Sequence, residues 1–109
     1  MISKELLSEV LGFSIGNCWN DGILIVWKED GMSEINIYEL AHKCKEFAFK
    51  QGYEIQSRIM SNDHQKRGNC CILKVEYEYE SCIKIENAKT EPEAIFKACQ
   101  WILENKDKR

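Results

Sequence analysis

The sequence predicts an α+β fold in which three helices accompany a mostly antiparallel five-stranded sheet, in the order α-β-β-α-β-β-β-α. Three observations predict it: three helix-start signals, short polar connections between alternating apolar segments, and a last helix that is apolar over nearly half its surface. So apolar a helix must lie deep in a groove, which favours an α/β/α sandwich over the alternative, a two-layer α+β arrangement. The length of 109 residues and the 44% hydrophobic content predict one domain, residues 1–109.

The chain begins with a predicted short helix and a β-hairpin. Ser3 can cap the helix, and Gly12 stands where a left-handed C-terminal cap belongs. Two strands follow at residues 13–19 and 23–27, and the Asp-Gly step between them is typical of a hairpin turn. The second strand is apolar on both faces, so we expect other elements to cover both sides of it.

The second helix follows a stretch, residues 28–33, that is expected to be a polar loop. Asn36 is the predicted N-cap. One face of the helix is apolar and should pack on the sheet, whereas Tyr38, His42 and Phe49 gather on roughly the opposite side. Two structural explanations are open, namely cover by a neighbouring element or scattered surface aromatics. The functional alternative is a partner-binding patch, because aromatic residues are enriched in interface cores.

Three further strands and the last helix complete the pattern. We expect strands at residues 53–60, 71–79 and 82–86, and a helix that starts after the N-cap Thr90 with Pro92 in its first turn. Four carboxylates on the last two strands form a predicted acidic strip that protects against edge pairing. They are Glu76, Glu78, Glu80 and Glu86.

The longest polar stretch, residues 61–69, is expected to be a hairpin loop. It brings His64, Lys66 and Arg67 together close in sequence to Arg58, beside donors that could hold an anion. A solvated turn explains this composition, and contact with a phosphate is the alternative.

Composition and cysteine spacing restrict the function classes. The net charge of −3 argues against binding to duplex nucleic acid, and no apolar run is long enough to span a membrane. With no export signal apparent, we expect the protein in the cytoplasm, where its six cysteines would be free and buried. They include no Cys-x-x-Cys pair, so no metal site is predicted, although the fold could still assemble one. They are Cys18, Cys44, Cys70, Cys71, Cys82 and Cys99.

Four segments share a recognisable pattern: Asn36-Ile37-Tyr38-Glu39-Leu40-Ala41-His42-Lys43-Cys44-Lys45-Glu46, Gly52-Tyr53, Thr90-Glu91-Pro92-Glu93-Ala94-Ile95 and Trp101-Ile102-Leu103. Together they resemble the pattern of small phage and prophage proteins of the phage ABA sandwich family. The resemblance covers almost the whole chain and implies an α/β/α domain closed by a threonine-led, alanine-rich C-terminal helix. It also implies a phage-encoded protein that acts in the bacterial cytoplasm, and it brings no catalytic residues. The segment from Met60 to Glu80 departs most from this pattern, because it is unusually rich in cysteine and glutamate.

Binding functions fit these observations better than catalysis. The leading hypothesis is a non-enzymatic protein that binds a host protein, for example as an anti-defence inhibitor, through Tyr38, His42 and Phe49. A second is an oligomeric sponge for a nucleotide signal, and a third is a purely structural or regulatory interaction. The second would use Arg58, His64, Lys66 and Arg67, with Trp19 or Tyr53 stacking on the base. No nucleophile with its base and no cofactor motif has a recognised spacing, so we expect no enzyme and no cofactor.

Overall fold

The computed structural model describes residues 2–12, 15–20, 24–62, 65–74 and 82–105. Within them it confirms the α+β class, the helices and the antiparallel pairing of the strands. The described elements are α1 (Lys4–Leu11), β1 (Asn17–Asn20), β2 (Leu24–Lys28), β3 (Gly31–Ile35), α2 (Ile37–Lys50), β4 (Tyr53–Asn62), β5 (Gln65–Lys74), β6 (Cys82–Ala88) and α3 (Glu91–Asn105). The predicted order therefore holds, with one additional strand.

The additional strand is β3, which lies where the sequence predicts the end of a polar loop. It pairs antiparallel with β2, from Leu24 opposite Ile35 to Lys28 opposite Gly31. Its residues alternate between exposed and half-buried along most of its length. Because this strand buries little apolar surface, its sequence lacks the hydrophobic signal by which strands are predicted.

The described strands form two separate three-stranded sheets instead of one sheet of five. Sheet A has the order β1-β2-β3, and sheet B has the order β4-β5-β6. The predicted loop at residues 61–69 is wrong, because β4 extends to Asn62 and β5 begins at Gln65. Within each sheet, strands that follow one another in sequence pair antiparallel, whereas β3 and β4 do not pair and so separate the two sheets.

The helices all lie in one layer. Each of α1, α2 and α3 contacts the other two, while α2 and α3 also pack on sheet B. The smallest dimension of the molecule is 19 Å, which fits two layers about 10 Å apart but not three. These contacts and this dimension match the two-layer arrangement, which was the alternative to the favoured α/β/α sandwich.

The physical reason for this difference lies in β2 and α3. Leu24 and Val26 of β2 are buried, but Trp27 keeps 38% of its surface exposed, so only one face of this strand is fully covered. The broad apolar surface of α3 is buried by sheet B on one side and by α1 and α2 on others. It therefore does not require a sheet between two helical layers. Its buried residues are Pro92, Ala94, Ile95, Phe96, Ala98, Cys99 and Ile102.

The predicted helix caps are confirmed. The Ser3 hydroxyl oxygen accepts a hydrogen bond from the Leu6 amide, and Gly12 ends α1 with φ of 79°. The Asn36 side chain accepts from the amides of Tyr38 and Glu39 at 2.9 and 3.2 Å. The Thr90 hydroxyl accepts from the Glu93 amide at 3.3 Å. These bonds satisfy amides that have no partner within the helices, so the start of each helix is well defined.

Candidate functional site

Tyr38, His42 and Phe49 lie on one exposed face of α2, and we call these three residues the α2 ridge. Tyr38 and Phe49 keep 71% and 63% of their surface exposed. Between them, His42 Nε2 lies 3.3 Å from Glu46 Oε1 on the next turn. At 100° per residue, Tyr38 and Phe49 differ by only about 20° around the helix, and they stand about 16 Å apart along it. Of the alternatives left open by the sequence, cover by a neighbouring element does not occur for the two aromatic rings.

The rest of α2 explains why the ridge is available. The opposite face anchors the helix in the core, and Asn36 caps its first turn. The fold is therefore held by residues that do not belong to the ridge. The anchoring residues are Leu40, Ala41, Cys44, Phe47 and Ala48.

A second surface is a cleft of about 790 Å³ where the end of sheet B meets α3, and we call it the basic cleft. It brings together Lys66 and Arg67, as the sequence reasoning predicts for an anion site, with Lys89 and Lys97, which that reasoning missed. The described residues that line it are Lys66, Arg67, Asn87, Ala88, Lys89, Glu93 and Lys97. The missed lysines come from the end of β6 and from α3, so only the tertiary fold places them beside β5.

The other residues predicted for anion binding are not brought together in this cleft. Arg58 is exposed on β4 and does not line it, and His64 lies outside the described residues. Tyr53 is buried and packs edge-to-face on Trp101 with ring centroids 6.0 Å apart. Stacking of Tyr53 on a nucleotide base is therefore wrong, and the side chain of Trp19 lies outside the described part of the chain.

Hydrogen bonds and a glycine fix the positions of the segments that line the basic cleft. Lys97 Nζ donates to the carbonyl oxygen of Asn87 at 3.0 Å, and Asn69 Nδ2 donates to Asn87 Oδ1 at 2.7 Å. A Cβ atom at Gly68 would overlap the backbone of Thr90 and Glu91. Glycine at this position therefore lets the start of α3 rest directly on β5, which brings the cations of the two elements to the same cleft.

The prediction that all six cysteines are free is wrong for two of them. Cys71 and Cys82 form a disulfide between β5 and β6, with their Cα atoms 5.8 Å apart. The two strands are neighbours in sheet B, which brings these residues close together although eleven positions separate them in sequence. Spacing alone does not reveal such a pairing. The side chain of Cys18 lies outside the described residues.

Three other cysteines are free and buried, as predicted. Burial raises the pKa of the Cys70 thiol to about 11. A hydrogen bond with Cys44 is the main cause that raises the pKa of the Cys99 thiol, and burial raises it further. Thiols of raised pKa stay protonated at neutral pH and are poor nucleophiles. These side chains therefore act as small apolar groups in the core.

Metal-ligating side chains are not clustered in the described residues. No three His, Cys, Asp or Glu side chains come together there in a way that could hold a metal ion. Of the predicted acidic strip, Glu86 lies on β6 with its Oε1 4.0 Å from Lys84 Nζ. Glu76, Glu78 and Glu80 lie outside the described residues.

Comparisons with protein-family models, with curated proteins and with solved structures find no match to this chain. Among the described residues, no helix combines the length and the apolar character needed to cross a membrane.

Proposed function

We propose that this protein acts by binding, as a non-enzymatic, phage-encoded accessory protein whose α2 ridge docks on a host protein in the bacterial cytoplasm. The observation that carries the proposal is the exposure of Tyr38 and Phe49 on one face of a capped helix. Exposed aromatic rings on a rigid support are typical of residues that dominate binding energy. Such a surface would suit an inhibitor that docks on a host defence protein.

The size of the ridge indicates what a partner must supply. An aromatic side chain buries about 150–250 Å² when fully covered, so covering the exposed parts of the two rings removes about 250 Å² from water. At about 25 cal/mol per Å², this contributes about 6 kcal/mol before the cost of association. A stable interface needs about 800 Å² from each partner. The ridge would therefore be the centre of a larger contact surface.

The overall charge supports a basic partner surface. The chain carries a net charge of −3, and this overall charge is what favours a basic partner, since α2 itself carries three lysines against two glutamates. Opposite charges accelerate association, and salt screens this attraction. We therefore expect the association rate to fall as the salt concentration rises.

The test is affinity capture from a bacterial lysate with two matched variants. The ridge variant carries Tyr38→Ala and Phe49→Ala. The control variant carries Met32→Ala and Ile85→Ala, which removes two comparably exposed apolar side chains from sheets A and B. We expect the wild type and the control to retain the same defined protein, and the ridge variant to lose it while melting cooperatively. Retention of that protein by the ridge variant, or its loss from both variants, would contradict the proposal.

A further inference from the structure

The basic cleft concentrates positive charge on a protein that is negative overall. Its lining contains four cations, Lys66, Arg67, Lys89 and Lys97, and one carboxylate, Glu93. The whole chain, in contrast, has a net charge of −3. Bringing like charges together costs free energy, which an anionic ligand would offset.

The cations of the cleft are not neutralised by carboxylates of the described chain. Lys97 donates to the carbonyl oxygen of Asn87, which is a neutral acceptor. Within the described ranges, no carboxylate oxygen lies within 4 Å of the charged groups of Lys66, Arg67 or Lys89. Among the described residues, the hydrogen-bond donors of these three side chains are therefore not taken up by a carboxylate.

The cleft is also assembled by the fold rather than by one flexible segment. Lys66 and Arg67 are consecutive residues near the beginning of β5. Lys89 follows the last residue of β6, and Lys97 lies on α3. Gly68 permits the close approach that joins these segments. The backbone that carries the four cations is therefore held in place before any ligand binds.

We infer that the basic cleft binds the phosphate groups of a small oligophosphate ligand. Arginine can bind phosphate oxygens through two parallel hydrogen bonds, and lysine acts as a mobile point charge beside them. The volume of about 790 Å³ lies within the range of small-molecule sites. Among the described residues, no aromatic ring lines the cleft, so the site should recognise the phosphate chain and not a nucleotide base. Inorganic oligophosphates and nucleoside triphosphates share this chemistry.

Glu93 provides a test in which the affinity for oligophosphate should rise instead of fall. Its carboxylate lines the cleft and would repel phosphate, whereas the lysines would attract it. Glu93→Gln should therefore tighten the binding of oligophosphate, while Lys66→Ala and Lys97→Ala should weaken it. A merely structural role for these residues would not produce opposite effects on affinity.

The experiment is calorimetric titration with tripolyphosphate and with ATP, at fixed ionic strength and without magnesium. We expect each lysine variant to weaken tripolyphosphate binding about fivefold to tenfold, and Glu93→Gln to strengthen it severalfold. Lys43→Ala is the matched control, because Lys43 lines a different cleft together with Glu9 and Glu46. It should leave the affinity unchanged. Lys66 is exposed, so its variant stays informative even if Lys97→Ala does not fold.

The titrations separate the outcomes clearly. Similar affinities for ATP and tripolyphosphate would support recognition through phosphate alone, and ATP binding that is tenfold tighter would contradict it. Absence of tripolyphosphate binding, or equal affinity in the wild type and both lysine variants, would overturn the inference. Tyr38→Ala with Phe49→Ala should leave this binding intact, because the α2 ridge and the basic cleft share no residue.

Discussion

Gly68→Ala should destabilise the protein by moving the start of α3. The added Cβ would overlap the backbone carbonyl of Thr90 and the amide of Glu91, and a backbone cannot move aside as a flexible side chain can. Relief requires a shift of the first turn of α3 or a break in the pairing of Gly68 with Ala88. Overpacking costs about 1–3 kcal/mol, and replacing glycine returns up to about 1 kcal/mol. We expect a net loss of about 2 kcal/mol, because the displaced turn carries the buried Pro92.

Urea denaturation followed by circular dichroism measures this loss. The matched control is Gly16→Ala, where the added Cβ would lie 3.5 Å from the carbonyl oxygen of Trp27, an ordinary contact. We expect the control to change the free energy of unfolding by less than about 0.5 kcal/mol. Equal stability of the two variants would refute the argument that the start of α3 rests directly on β5.

Two further predictions concern cysteines. Reduction of the Cys71–Cys82 disulfide should lower the free energy of unfolding by at most about 2.8 kcal/mol, because its separation of 11 residues sets the entropy that the unfolded chain regains. Urea denaturation with and without reductant tests this, and a Cys71→Ser/Cys82→Ser variant that still responds to reductant would contradict it. Since folding raises the pKa of the Cys70 thiol from 9.0 to about 11, the free energy of unfolding should fall by at most about 3 kcal/mol as pH rises from about 9 to about 11. Urea titrations across this interval should show a shallower decline for Cys70→Ala, and an identical decline would count against the prediction.

The helix starts could be predicted because their signals are local. Ser3, Asn36 and Thr90 each precede their helix and bond to amides two or three residues later. Such a bond depends on residues adjacent in sequence, so a short pattern is sufficient to identify it. The exposed position of the α2 ridge follows from the same local geometry, since helical periodicity alone separates it from the buried face.

The division into two sheets could not be predicted, because it depends on which strands pair over a distance. The sequence of β3 is polar, so it does not indicate a strand. The residues at the end of β4 and the beginning of β5 are typical of a loop, although they continue the antiparallel pairing of the two strands. The extended pairing from Arg58 opposite Asn69 to Asn62 opposite Gln65 satisfies the backbone without any apolar alternation. Hydrophobic periodicity does not reveal strands of this kind.

The basic cleft and the disulfide also could not be predicted fully from the sequence, because both depend on contacts between distant segments. Lys89 and Lys97 reach Lys66 only through the docking of α3 on sheet B, and Cys71 reaches Cys82 only through the pairing of β5 with β6. Sequence reasoning found the half of the cleft that is contiguous in the chain. Its other half needed the tertiary structure.

Site-specific photo-crosslinking in living bacteria tests most directly the claim that the α2 ridge is the docking surface. A photoreactive amino acid would replace His42, between the two aromatic rings, and in a control protein would replace Ile85, which is exposed on sheet B. The account predicts one discrete adduct with a host protein from position 42 and none from position 85. Adducts of the same host protein from position 85, with none from position 42, would contradict it.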